Sequence, residues 1–164
     1  MNVTQNDRRI RLADSNVPII LVVEDDRDNL LLLSHILIFL KYNFVTATNA
    51  RDALDLATNY KIDLVLLDLV LPDFNGFELI ERFKKQKSTK NMTIVAISAL
   101  VKTKERDRAF AAGCDEYLEK PYSIDDLTKK IRHYLPQSFF SPSLFRWLKF
   151  TSNSGCNQGK LFCS

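Results

Sequence analysis

The stretch that most constrains this chain is Asp63-Leu64-Val65-Leu66-Leu67-Asp68-Leu69-Val70-Leu71-Pro72. Its apolar run is nearly continuous, so a strand made from it needs cover on both faces. A central strand of a parallel sheet flanked by helices meets that condition. Asp68 interrupts the run. A charge in such surroundings costs several kcal/mol unless another group pairs with it. Pro72 and Gly76 then break the strand and open a loop. A carboxylate at the C-terminal end of a central parallel strand stands where open α/β sheets bind their ligands.

Four shorter runs supply neighbours for that strand. Ile19-Ile20-Leu21-Val22-Val23 is β-branched and ends in Glu24-Asp25-Asp26. Phe44–Ala47 and Thr93–Ile97 are strands by the same criterion, the latter ending in Ser98, and Asp115–Leu118 is a shorter one before Lys120-Pro121. Helical spacing fills the gaps. A first helix is expected over Asp28–Lys41 with Asp26 or Asp28 as its cap. It is apolar over more than one stripe, which implies deep packing or an extra contact on its outer side. A second begins at Asn49, with Ala50, Ala53, Leu54 and Ala57 on one face. A third spans Phe77–Lys85, and a fourth spans Thr103–Ala112 and stops at Gly113. Ser123 caps the last, with Asp125 and Asp126 suiting the dipole of its first turn. Strands alternating with helices predict an α/β fold: a doubly wound five-stranded parallel sheet with five helices.

Order is expected over residues 18–136. Residues 1–17 are polar and read as a flexible leader. Residues 137–164 read as a weakly ordered tail rich in aromatics: Phe139, Phe140, Phe145, Trp147, Phe150 and Phe162. With Arg146 and Lys149 these could also pack on the domain, lie on a membrane surface or bind a partner helix. The 17 Lys/Arg and 18 Asp/Glu of residues 18–136 nearly cancel, so the net charge of +3 resides in the ends. That balance gives no argument for nucleic acid or a membrane surface. Cys114, Cys156 and Cys163 are odd in number and lack metal-ligand spacing, which fits a reducing compartment. No apolar run reaches the roughly 18 residues of a membrane span, and no signal peptide is visible. A cytoplasmic protein is expected.

The strand ends share one edge of a parallel sheet. Glu24, Asp25, Asp68, Ser98 and Lys120 therefore meet in one crevice. Three carboxylates at close range need a cation, and oxygen ligands with open positions suit Mg²⁺. Lys120 adds a charge for an anion and Ser98 a hydroxyl donor. These are the parts for phosphoryl transfer to Asp68 as nucleophile. Alone, Glu24-Asp25-Asp26 could simply open a helix, and Asp26 is read as doing only that. His35, His133 and the lysines at 84, 85, 87 and 90 read as solvated helix residues.

The joint pattern resembles the receiver domain of response regulators, of the flavodoxin-like fold and similar to the chemotaxis-type single-domain receivers. It is carried by Val22-Val23-Glu24-Asp25, by Asp68 with Pro72 and Gly76, by Ser98-Ala99, and by the run from Ala112 to Pro121. The resemblance implies that Asp68 takes a phosphoryl group from a phosphohistidine on a sensor histidine kinase or histidine phosphotransfer protein. It implies Asp25 as a direct Mg²⁺ ligand, Glu24 as one acting through water, and the Val70 carbonyl as a further ligand. Lys120 would contact the phosphoryl group, Ser98 would swing toward it, and Tyr117 would follow by turning inward. Lys120-Pro121 would be a cis peptide. Val70 and Leu100, apolar at positions where the family tunes dephosphorylation, would leave the phosphorylated state long-lived.

Residues after Pro136 are too few for a second core, so an output through protein contact, with no DNA binding in cis, is expected. A DNA-binding regulator seen without its output domain is an alternative, and a degenerate receiver that only docks is another, opposed by the intact site. A phosphatase of the haloacid dehalogenase type, a true enzyme, would want an acid two residues after its nucleophile. Val70 stands there, so turnover is not expected.

Overall fold

The computed structural model describes residues 18–72, 74–99 and 103–135. The expected leader and tail, Leu100, Cys156 and Cys163 lie outside them. Ten elements alternate in chain order: β1 (Ile19–Val23), α1 (Arg27–Phe39), β2 (Asn43–Ala47), α2 (Ala50–Asn59), β3 (Leu64–Asp68), α3 (Gly76–Lys85), β4 (Thr93–Ser98), α4 (Thr103–Ala112), β5 (Glu116–Glu119) and α5 (Ile124–Tyr134). The strands form one sheet in the order β2-β1-β3-β4-β5, and every pairing is parallel.

All five residues of β3 are buried, as its unbroken apolar character requires. The two faces of the sheet carry separate apolar layers. Leu33, Ile36, Leu37 and Leu40 join Leu127, Ile131 and Leu135 on one side, so α1 and α5 share that face. Ala50, Ala53 and Ala57 join Phe77, Leu79, Ile80, Phe83 and Ala109 on the other, which α2, α3 and α4 cover. The small face of α2 lets its backbone lie close to the strands.

Local chemistry sets the helix limits. The Asp26 side chain accepts from the N–H groups of Asp28 and Asn29, which makes Asp26 the cap of α1. Asn49, Asn75 and Ser123 cap α2, α3 and α5 in the same way. At the end of α4, Gly113 has φ 108°, and Cys114 N–H returns to Ala109 O. Gly76 is required for another reason. A Cβ there would stand 2.6 Å from Leu69 Cα and 2.7 Å from its carbonyl oxygen.

Several element limits shift from expectation, and three of the differences have a visible cause. Helix α1 ends at Phe39, not Lys41, because Lys41 adopts a left-handed φ of 60° and Tyr42 N–H turns back to Leu37 O. Strand β5 starts one residue later than expected. The Asp115 side chain instead binds Ile94 N–H and the Lys84 ammonium, at 2.8 Å each. The apolar run around Asp68 continues past the strand, with Leu69 and Leu71 still buried in the loop. Deep packing of α1 on all sides is not what the fold does, since Leu31, Leu32, Ile38 and Phe39 are exposed. Among the described residues no helix is long and apolar enough to cross a membrane.

Candidate functional site

The sheet order creates a crevice. From β1 the chain moves outward to β2, then returns to β3 on the other side of β1. The loops after β1 and β3 therefore part in opposite directions and leave an opening at the carboxyl ends of those strands. Glu24 follows β1, Asp68 ends β3, Ser98 ends β4, and Lys120 follows β5. Register keeps them level: Val23 pairs with Leu67, Asp68 with Ile97, and Ser98 with Glu119.

Glu24 is 2% exposed and Asp68 7%. Lys120 Nζ bridges them, at 2.9 Å from Glu24 Oε2 and 2.6 Å from Asp68 Oδ2. The other oxygen of Asp68 accepts from Val70 N–H at 2.8 Å. This settles what pairs with the charge at the end of β3: an ammonium and a backbone donor from its own loop. Glu24 is held from its far side by Asn29 Nδ2, at 3.4 Å from Oε1.

Carboxylate oxygens of Glu24, Asp25 and Asp68 lie within 4.8 Å of one another. Among the described residues one ammonium, that of Lys120, is bonded at this cluster of three acids. The Glu24 carboxyl is pushed up chiefly by burial; the hydrogen bond from Lys120 opposes that, and the charge of Asp68 adds to it. For Lys120, burial is the largest influence and acts downward. Its hydrogen bonds and charge pairing with Asp68 and Glu24 together outweigh burial, so its pKa is raised. The donor set is hard oxygen, shallow and short of positive charge, and these residues fit Mg²⁺.

Residues 20–132 match the response regulator receiver domain. The chain belongs to the response regulator receiver family. The response regulator ArlR of Staphylococcus aureus is 35% identical over 116 residues, which are 71% of this chain and 52% of ArlR. The chain thus spans about half the length of the curated relatives it matches. The CheY-like response regulator receiver domain protein from Methanospirillum hungatei is 31% identical, with a TM-score of 0.67 over 71% of this chain and 92% of that one. The receiver domain of sensor histidine kinase PA1611 from Pseudomonas aeruginosa has a TM-score of 0.67 over 72% of this chain and 97% of its own, at 24% identity. That structure holds a magnesium ion coordinated in its active site cleft. Phosphorylation by histidine kinases and use of Mg²⁺ are general to receivers.

The remaining expected residues take these places in this receiver. Ser98 is fully buried, and its carbonyl accepts Lys120 N–H at 2.8 Å. Tyr117 is buried as well, with a side-chain hydrogen bond to Ser98; burial foremost raises its hydroxyl pKa, and that bond acts against it. Lys120-Pro121 is cis. Val70 is 54% exposed and bridges to Asn75 across the loop. His35 and His133 are exposed.

Sequence reasoning missed two residues. Asn29 steadies Glu24, and its signal was its place one turn into α1. Tyr122 is half-buried beside the site; burial chiefly raises its pKa, Lys120 opposes, and Glu24 and Asp68 reinforce. Its position directly after Lys120-Pro121 was the only available hint.

Proposed function

We propose that this receiver accepts a phosphoryl group on Asp68 from a phosphohistidine of a sensor histidine kinase or histidine phosphotransfer protein. The observation that carries the reading is the Lys120 bridge between Glu24 and Asp68, with Asp25 alongside, at the carboxyl edge of the sheet. An Asp68 oxygen attacks phosphorus as the phosphorus–nitrogen bond breaks, and the imidazole keeps the bonding pair. The Val70 N–H holds the other oxygen and so fixes the direction of attack. Lys120 moves from Asp68 Oδ2 to a phosphoryl oxygen, and Ser98 donates to a second. Glu24, Asp25, Asp68 and the Val70 carbonyl would hold Mg²⁺, which offsets negative charge on the phosphoryl oxygens when bound.

The output is a protein contact. When Ser98 turns to the phosphoryl group it releases its bond to Tyr117, and the face made by α4, β5 and α5 changes. Phe110 on α4 and Ile124 on α5 are exposed there and supply apolar anchors for a downstream protein. We read the site as a phosphoacceptor and not a turnover enzyme, since Val70 stands where a general acid would be needed; p-nitrophenyl phosphate should not be hydrolysed. The chemotaxis-type, protein-contact reading goes with a cytoplasmic location. A second reading has one observation in its favour. ArlR is about twice as long as the matched segment, which favours an output segment in the same polypeptide.

The test is intact-mass spectrometry after acetyl phosphate and Mg²⁺. One phosphoryl adduct is expected, absent when Mg²⁺ is chelated and absent in Asp68→Asn. An adduct of equal yield in Asp68→Asn would overturn the assignment.

A further inference from the structure

Glu24 is held by two donors of different kinds. Lys120 Nζ lies 2.9 Å from Oε2, and Asn29 Nδ2 donates to Oε1 at 3.4 Å. In the proposed transfer Lys120 swings to a phosphoryl oxygen, and its hold on Glu24 loosens. The amide of Asn29 takes no part in that movement. Glu24 is 2% exposed, so bulk water does not make good a donor lost there.

The first turn of α1 is built to aim this amide. Asp26 Oδ1 accepts the N–H of Asn29 at 2.9 Å and that of Asp28 at 3.1 Å. The Asp26 carbonyl accepts the N–H of Leu30 at 2.9 Å, and Leu30 packs against the apolar layer of α1 and α5. The backbone around Asn29 is thus pinned, and its side chain is half-buried. Asn29 is the third residue of the helix. In a capping box that place holds Glu or Gln, whose side chain returns to the N–H of the cap. Here the side chain reaches past the cap to Glu24.

The residue type matters as much as the place. The helix dipole favours an acid in the first turn. An acid at position 29 would stand beside Glu24, in a cluster whose Glu24, Asp25 and Asp68 oxygens already lie within 4.8 Å of one another. An amide donates to Glu24 without adding a fourth negative charge. Burial pushes the Glu24 carboxyl up, and the bond from Asn29 acts against that.

We propose that Asn29 is a positioning residue for Mg²⁺, holding the Glu24 carboxylate in place for the metal, above all once Lys120 has turned to the phosphoryl group. This role presupposes the Mg²⁺ site of Glu24, Asp25 and Asp68, and Asn29 acts on that site through Glu24 alone. Partners behind metal-binding groups are worth about 10–100-fold in metal affinity. The bond here is long at 3.4 Å, so the lower end, about tenfold, applies.

Isothermal titration of the full chain with Mg²⁺ alone, and no phosphoryl donor, reads the effect. Asn29→Leu keeps the bulk of the side chain and removes the donor, and its Kd for Mg²⁺ should be about tenfold higher. Asn29→Ala, a second variant without the donor, should behave alike. Asn29→Gln keeps the amide on a longer arm and should recover most of the loss. Thr89→Val is the control for general loosening. It removes a buried hydroxyl bonded to Phe83 O at 2.7 Å beyond the end of α3, and it should lower the urea midpoint with no change in Kd. Equal Mg²⁺ affinity in Asn29→Leu and the unaltered chain would overturn the proposal and leave the Mg²⁺ site standing. A loss that Asn29→Gln shares in full, or that Thr89→Val reproduces, would overturn it as well. An unaltered chain that takes up no Mg²⁺ would overturn the metal site and this role together.

Discussion

Replacing Lys120 with Met keeps the length of the side chain and removes the charge that joins Glu24 to Asp68. Deleting one partner of a buried ion pair costs about 3–5 kcal/mol. The Lys120 side chain is 19% exposed, so water can reach the carboxylates it leaves behind, and the lower end, about 3 kcal/mol, applies. For a domain of this size that is a fall in Tm of about 12 °C. The loss should depend on pH, and its sign follows from Glu24. Burial raises the Glu24 pKa and Lys120 holds it partly down. Without Lys120 it rises further, so the folded variant keeps a proton that the unfolded chain gives up. Stability then falls as pH rises from the ordinary carboxylate value through the raised one, and returns on acidification. Lys120, whose own pKa is raised, contributes fully below the ordinary lysine value and loses that contribution only as pH rises through its folded value. The difference between Lys120→Met and the unaltered protein should therefore be larger near about pH 7.5 than near about pH 5. Urea unfolding at both values measures it. Mg²⁺ at about 100 times its dissociation constant should return about 2.7 kcal/mol to the variant. Lys129→Met, from the exposed pair with Asp126 at 4.0 Å, should change stability little, because water screens that pair. Equal losses for Lys120→Met at the two pH values, or a loss no greater than that of Lys129→Met, would refute the bridge as a buried pair.

Gly76→Ala should destabilise by about 1–3 kcal/mol, because the new Cβ meets Leu69 backbone at 2.6 Å and not a movable side chain; urea midpoints with an unchanged m-value check it. Val70→Asn should shorten the phosphorylated lifetime, since an amide at this exposed position can orient a water that Val cannot, and decay of the adduct in intact-mass spectra reads it. An unchanged or longer lifetime would remove Val70 from that role. Cys114, whose thiol is pushed up to about 12 by burial first and by Asp115 and Glu116 next, should resist iodoacetamide in the folded protein and react once unfolded, as peptide mapping would show.

The alternation of strands and helices and the meeting of Glu24, Asp25, Asp68, Ser98 and Lys120 were legible because they rest on chain-local signals. A β-branched run ending in a polar residue marks a strand end, and parallel pairing brings all such ends to one edge. What was not legible depends on atoms far apart in sequence. Nothing local says that Lys120 spends its ammonium on Glu24 and Asp68 together, 96 and 52 residues away. The Val70 N–H on Asp68 was hidden for another reason: the resemblance pointed to the Val70 carbonyl and side chain, and nothing in the sequence shows that its N–H turns back to the Asp68 carboxylate. Helix α1 was ambiguous in the sequence, where deep packing and an outer contact both fit. Only the exposure of Leu31 and Leu32 separates the two. The hydrogen bond between Tyr117 and Ser98 joins neighbouring strands β5 and β4, and no local signal in either strand announces it. Asp115 was read as strand, and its side chain instead serves Ile94 and Lys84.

The most direct test of the central claim is borohydride reduction of the phosphorylated protein followed by peptide sequencing by mass spectrometry. An acyl phosphate is reduced to an alcohol, so the account predicts homoserine at position 68, with Asp25 and Glu24 unchanged. Homoserine at position 25, or phosphate retained on a serine or threonine and no homoserine, would contradict it.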